Sequence, residues 1–323
     1  MGHWSTPTTF LYFIWDFIYV WLIGTFDLLR QLVVRHRKPT VKRDGNVAIV
    51  TGGSRGIGLE IVKQLLECGY HTIIAASSPH NQNIEKIKED FPNGNVEYFQ
   101  IDMCCTKSIR SFADNFLKRN LPLNVLINNA GIMFGPYKLN ENGIESQLNT
   151  NYLGHFLLAY LLLPVLTESG TEKLRSRVVN VTSCVHYAGR VKIDDLNSRE
   201  YYSAHGSYAQ SKLAQVMHAI TLQELLDQKG AFVCVNSVHP GIIHTNLYQH
   251  TIFDKLFFKT AEQGADGVVH VALSNEIEGI GGKYFDNCII KRANKLANVP
   301  AMQLKLWQKT CEILEIKDFD LHI

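Results

Sequence analysis

Tyr208-Ala209-Gln210-Ser211-Lys212 sets a phenol and an amine four residues apart, which on a helix is one turn and one face. A tyrosine with its ordinary pKa of about 10 is a poor base near neutrality. A neighbouring ammonium favours the phenolate, and lowering the pKa by about 3 units takes about 4 kcal/mol of differential stabilisation. Such a pair suits a reaction in which a hydroxyl proton must leave, or arrive, alongside a hydride. Arg177-Val178-Val179-Asn180-Val181-Thr182-Ser183 reads as a buried strand that ends in a hydroxyl residue.

The elements that must position these groups alternate. A β-branched run at 46–51 leads into a glycine-rich turn, a helix over 57–68 and a second strand over 71–76. Strands follow over 96–101, ending in Asp102, and over 123–127, ending in Asn128-Asn129-Ala130-Gly131. A helix over 145–163 carries Asn151, and a further strand runs from Phe232 to Val238 ahead of His239-Pro240-Gly241 and Thr245. Strand–helix alternation implies an α/β fold, a doubly wound parallel (Rossmann) sheet in a single domain, with function gathered at the carboxyl ends of the strands. In the first turn, Gly52 permits the tight bend, Gly56 lets backbone approach a pyrophosphate, and Gly58 lets helix and strand pack closely. Exposed N–H groups and the positive helix end then hold the phosphates.

Thr51-Gly52-Gly53-Ser54-Arg55-Gly56-Ile57-Gly58 resembles the nucleotide loop of the short-chain dehydrogenase/reductase family, and the later motifs fall in that family's order over about residues 45–315. The resemblance implies a catalytic set of Asn151, Ser183, Tyr208 and Lys212. It implies cofactor contacts from Thr51, Gly52, Ser54, Arg55, Gly56, Ile57 and Gly58 in the loop, and from Asp102 to the adenine. Asn128, Ala130 and Gly131 would line the nucleotide, Tyr208 and Lys212 would meet the nicotinamide ribose, and Pro240, Gly241 and Thr245 would embrace the nicotinamide end. Asn151 would position a water that links Lys212 to solvent. The second strand ends in Ala75-Ala76-Ser77-Ser78 without the acid that NAD-preferring proteins place there, and Arg55 occupies a position that often faces a 2′-phosphate. NADP(H) is therefore favoured. The lack of a second basic residue after the strand leaves NAD(H) use open.

Residues 10–26, FLYFIWDFIYVWLIGTF, are almost wholly apolar and precede a self-sufficient domain. A spanning helix needs about 20 such residues. Arg30, Arg35, Arg37, Lys38, Lys42 and Arg43 follow, which, if the segment spans, would place residues 35 onward in the cytosol. A cleaved signal peptide would carry its basic end first and a small-residue cleavage site after. The chain thus divides into an anchor (1–34), a basic linker (35–44) and a catalytic domain (45–323). Ser5, Thr9, Tyr12, Asp16, Tyr19, Asp27 and Arg30 fall on one narrow stripe. Either the helix lies in the interface with that stripe toward headgroups, or it spans and turns the stripe toward a partner helix.

The six basic residues of the linker region account for the excess positive charge, so the body carries no basic surplus of the kind a nucleic-acid binder needs. The seven scattered cysteines show neither disulfide nor zinc spacing, and no metal is expected. The sequon at Asn180 lies in a buried strand. Two regions should decide substrate. One is the long Ser183–Tyr208 segment with His186, Tyr187, Tyr201, Tyr202 and His205. The other is an apolar lid after Thr245 with Leu247, Tyr248, Ile252, Phe253, Leu256, Phe257 and Phe258. The anchor, the long segment and a closing helix at 306–314 narrow the resemblance to the membrane-associated retinol dehydrogenase branch, nearest its polyprenol/dolichal dehydrogenases. That implies a small lipophilic substrate, polyisoprenoid first, with retinoids and then steroid or fatty carbonyls as alternatives. It also implies the endoplasmic reticulum membrane, or the lipid droplet, and leaves a homodimer open. A catalytically idle, nucleotide-sensing scaffold is the reading from another class; an intact catalytic set argues against it.

Overall fold

Strand residues alternate between two cores, as the two-residue period of a pleated strand requires. Val47 and Ile49 feed one core, and Ala48 and Val50 the other. The computed structural model describes residues 7–31, 41–78, 82–243 and 259–316, without the side chains of 7–10 and 31. In chain order the elements are α1 (Pro7–Gln31), β1 (Val47–Thr51), α2 (Gly56–Glu67), β2 (His71–Ala76), α3 (Gln82–Asp90), β3 (Val96–Gln100), α4 (Thr106–Leu117) and β4 (Val125–Asn128). Next come α5 (Ser146–Leu148), α6 (Gly154–Ser169), β5 (Ser176–Val181), α7 (Ala204–Lys229), β6 (Val233–His239) and α8 (Ala261–Leu273), then β7 (Tyr284–Asp286), β8 (Ile289–Lys291) and α9 (Pro300–Ile313).

The sheet order is β3-β2-β1-β4-β5-β6-β7-β8. All pairs are parallel except the last, where β8 returns antiparallel through a turn at Asn287. The strand order reverses between β1 and β4, which opens a crevice at their carboxyl ends. Helices α4, α6, α7 and α9 cover one face of the sheet, and α2, α3 and α8 cover the other. The doubly wound sheet expected from the alternation is present; the antiparallel edge strand is an addition that the three residues Ile289-Ile290-Lys291 gave no means to foresee.

Two differences bear on the site. The helix expected over 145–163 is broken: α5 is a single turn, Asn149–Leu153 is π-helical, and only then does α6 begin. A π turn adds a residue per turn and re-aims the side chains on it, here Asn151. The second concerns α1. The stripe carrying Tyr12, Asp16, Asp27 and Arg30 faces neither headgroups nor a partner helix but the protein's own body. Tyr12 lies by the Tyr201 ring and under Arg190. Asp16 sits against Gly206, where an added Cβ would be only 2.5 Å from its Oδ2. Asp27 Oδ2 is 2.7 Å from His239 Nε2, and Arg30 pairs with Asp286 at 3.0 Å. Val20 is buried with Cys184, Val185, Tyr208 and Ala209. Carboxylates that would be costly in hydrocarbon thus find polar partners on the body. Tyr19 departs from the stripe and stacks on Trp15 instead. Leu11, Trp15, Ile18, Leu22, Phe26 and Leu29 remain exposed on the other side. Among the described residues two helical stretches are long and apolar enough to cross a bilayer, Leu11–Arg30 and Ser146–Ser169; the second is mostly buried in the core.

Candidate active site

The turn after β1 has the geometry of a phosphate cradle. Gly52 sits at φ +67°, and a Cβ there would meet Ala130 Cα at 3.0 Å. Gly58 has no room for a side chain: a Cβ would lie 2.2 Å from Gly52 O. Gly56 is the opposite case, at φ +58° with nothing among the described residues within 4 Å of an added Cβ, so backbone is open there. The N-cap of α2, Arg55, makes no side-chain cap, which leaves the helix's first N–H groups to a ligand. These residues fit the diphosphate of a dinucleotide. Arg55 is exposed beside them, and Ser54 is buried in the turn. Ile57 and Asn129 line the cavity next to it.

Thr51 and Asn128, expected at the cofactor, are fully buried, and their side chains brace the neighbouring strands. Thr51 Oγ1 accepts from Asn129 N and Ala130 N. Asn128 Nδ2 donates to Asn180 Oδ1 at 2.9 Å, tying β4 to β5. The neighbouring Asn129 is the residue that reaches the groove, and its Nδ2 donates to Thr51 O at 2.8 Å. Asp102 lies just past β3, exposed, with Oδ1 accepting from Cys104 N. Pro240, Gly241 and His239 line the cavity after β6. Thr245 and the lid residues from Leu247 to Phe258 lie outside the described residues.

Ser183, Tyr208 and Lys212 line one cavity of about 370 Å³ together with Asn129, Gly131 and Pro240. Ser183 lies two residues beyond β5 and caps a short 3-10 turn. Tyr208 and Lys212 stand one turn apart on α7, with Lys212 Nζ 5.6 Å from the phenol ring centre. The ammonium donates to Val181 O at 3.0 Å and to Gln215 Oε1 at 2.9 Å. Burial lowers its pKa to about 7, because removing an ammonium from water favours the neutral amine. Asn151 is fully buried behind this wall. Its Nδ2 donates to Ser211 Oγ and Ile132 O, and its Oδ1 accepts from Ile132 N. The space on Gly131 faces both groups: a Cβ there would be 3.2 Å from Asn151 Oδ1 and 3.7 Å from Lys212 Nζ.

Several positioning residues escaped the sequence reading. Gln215 and Ser211 each sit three residues beyond a predicted site residue on α7 and could have been found by that spacing. Glu145 could not. Its buried carboxylate accepts from Gln147 N, Leu148 N and Ser207 Oγ, clamping the π turn to α7. His155 joins cradle to catalytic wall: Nδ1 donates to Asn151 O, and Nε2 accepts from Thr51 Oγ1. Burial lowers its pKa to about 4, so it is neutral.

The aromatics of the Ser183–Tyr208 segment do not form the cavity wall. His186 is buried with Nδ1 on Ser183 O, Tyr187 donates to Arg292 O, and Tyr202 donates to Gly135 O. Of that segment, only Cys184 and Val185 join Ser183 and Tyr208 in the lining. Among the described residues α1 adds Val20, Trp21, Gly24, Thr25 and Leu28 to the lining.

A family profile described as short chain dehydrogenase matches residues 46–255. The chain is 39% identical to a polyprenol dehydrogenase of Danio rerio over 95% of its own length and 99% of that protein's. It is 36% identical to retinol dehydrogenase 11 of Homo sapiens, covering 85% of this chain and 87% of the other. An uncharacterized protein from Mycobacterium Paratuberculosis superposes with a TM-score of 0.71 at 30% identity, covering 85% of this chain and 95% of that one. The chain belongs to the short chain dehydrogenase family and is an NAD(P)-dependent alcohol dehydrogenase.

Proposed function

We propose that the protein is a membrane-tethered oxidoreductase that uses NADP(H), with NAD(H) as the weaker partner, on long lipophilic alcohols and aldehydes, polyisoprenoids first. The observation that carries this reading is a single cavity with Tyr208 and Lys212 on one side and the apolar N-terminal helix on the other. The bound nicotinamide supplies the site for hydride transfer. Tyr208 takes the proton from the alcohol oxygen or returns it to the carbonyl oxygen. Ser183 holds that oxygen beside the phenol. Lys212 favours the phenolate and holds the cofactor ribose, and Asn151 keeps the space beside Gly131 polar for a water on the proton path.

Substrate class rests on three supports: the apolar cavity wall, the exposed apolar side of α1, and the identity with polyprenol dehydrogenase. A substrate dissolved in lipid is met most often by a catalyst held at the same surface, since tethering raises their effective concentration. The basic run after α1 suits the anionic cytosolic leaflet and supports a cytosolic catalytic domain, and the endoplasmic reticulum is the membrane proposed. Retinoids are the second substrate class, on the likeness to retinol dehydrogenase 11.

Arg55, exposed at the α2 N-terminus and without an acid at the end of β2 to oppose it, supports the NADP(H) preference. Purified protein assayed with polyprenal, retinal and a steroid ketone, each with NADPH and NADH, is expected to show its highest kcat/KM for polyprenal with NADPH. Arg55→Glu is expected to shift the NADPH:NADH ratio toward NADH by about tenfold or more, the size of one lost charge-assisted contact. An unchanged ratio would assign the preference to another residue, and a preference for the steroid would overturn the substrate class.

A further inference from the structure

Helix α1 presents two different faces to the body. Asp16, Asp27 and Arg30 dock it, while Val20, Trp21, Gly24, Thr25 and Leu28, neighbours at three- and four-residue spacing, line the catalytic cavity. The docking contact nearest the cavity is a buried one. Asp27 and His239 are both under a tenth exposed, and His239 itself lines the cavity beside Pro240. Burial alone would keep His239 neutral, but Cys184 and Asp27 raise its pKa well above the ordinary imidazole range. The contact is thus a pair of opposite charges, the kind whose separation leaves a buried charge uncompensated. Asp27, Cys184 and His239 place ligand-type atoms within 4.8 Å of one another. The 2.7 Å between Asp27 and His239 is a hydrogen bond, shorter than the roughly 3.3 Å that separates two ligand atoms on one tetrahedral zinc.

We infer that α1 is a wall of the substrate site as well as a tether, and that Gly24 is the slot along which the substrate chain lies. Asp27 acts as a positioning residue that holds the wall in place through His239. The missing side chain at Gly24 is the central observation. Among the described residues a Cβ there would meet only Ile242 Cδ1, at 3.9 Å, which leaves room between α1 and Ile242 at this position. Trp21, 43% exposed, stands one turn away at the rim with Ile132 and Met133, which are also both exposed and cavity-lining. The slot therefore leads from the phenol to an apolar mouth beside the exposed face of α1. Its shape suits an extended chain whose reacting end sits at Tyr208 and whose tail leaves toward lipid.

The inference rests on the proposed reading for the reaction class, and the test separates the two. Full-length protein is assayed in detergent micelles with NADPH, so that tethering confers no advantage, on straight-chain and isoprenoid aldehydes in short and long forms. Gly24→Leu fills the slot and also replaces a helix glycine by a good helix former, so folding is not the weak point. It is expected to lower the long-to-short ratio of kcat/KM by about tenfold or more, the scale at which a pocket discriminates chain size. Phe26→Ser, on the outer side of α1, leaves that ratio where it was. Asp27→Asn raises KM for the long aldehydes more than it lowers kcat. Equal losses for short and long chains in Gly24→Leu, or none, would overturn the inference while leaving the substrate class intact. Turnover of straight-chain but not isoprenoid aldehydes would overturn the substrate class, and the ratio would still decide the role of α1.

Discussion

Tyr208→Phe is expected to lower kcat by about a thousandfold, within the range contributed by a positioned acid–base group, while NADPH affinity stays close to that of the unaltered protein. The phenol sits at the cavity floor, 9% exposed, and its ring is held edge-on by Phe134 at 5.2 Å. Removing one oxygen from that ring keeps the ring's packing and takes away only the group that exchanges a proton with substrate. Titration of NADPH fluorescence alongside steady-state rates separates the two effects. A variant that retains most of its turnover would remove Tyr208 from the chemistry. One that also loses cofactor would give it a binding role instead.

Lys212→Met carries the second large effect, and here activity and stability respond differently. Activity is expected to fall at least as far as in the tyrosine variant, because both the ribose contact and the charge that favours the phenolate are lost. The stability effect depends on pH, and its sign follows from burial. The folded chain holds Lys212 at a pKa of about 7, whereas the unfolded chain holds a lysine near about 10.4. Below about pH 7 both states are protonated, and the buried ammonium is a constant cost. Between those two values the unfolded chain binds a proton that the folded chain does not, so stability rises with pH. Without cofactor, the stability of the unaltered protein relative to Lys212→Met is therefore expected to climb by about 1.4 kcal/mol per pH unit from about pH 7 toward pH 10, and to be flat below. Denaturant midpoints across that range measure it. Parallel curves would mean that Lys212 is not the poorly solvated group that its contacts with Val181 O and Gln215 Oε1 describe.

The parts of this architecture written as local patterns were legible in the sequence. Strand–turn–helix alternation gave the parallel sheet, and the spacing of Gly52, Gly56 and Gly58 predicted three different steric demands that the backbone meets separately. Tyr208 and Lys212 share a helix face because i and i+4 always do. What depends on contacts distant in sequence was not legible. Asn128 and Thr51 lie in motifs associated with cofactor, yet their side chains are spent on Asn180 and on the Asn129 and Ala130 amides. The π turn that aims Asn151 is set by Glu145 reaching Ser207, a contact across 62 residues. The polar stripe of α1 was visible, but its partners, His239 and Asp286, lie more than 200 residues away. Periodicity gives a helix its polar face and says nothing of what covers it.

The most direct test of the account is hydride transfer. NADPH carrying deuterium at both nicotinamide C4 positions is incubated with full-length protein and a long polyprenal in micelles, and the product is analysed by mass spectrometry, with Tyr208→Phe in parallel. The account predicts polyprenol carrying one deuterium at C1, formed by the unaltered protein and nearly absent with the variant. Unlabelled product, or equal labelling by both proteins, would contradict it.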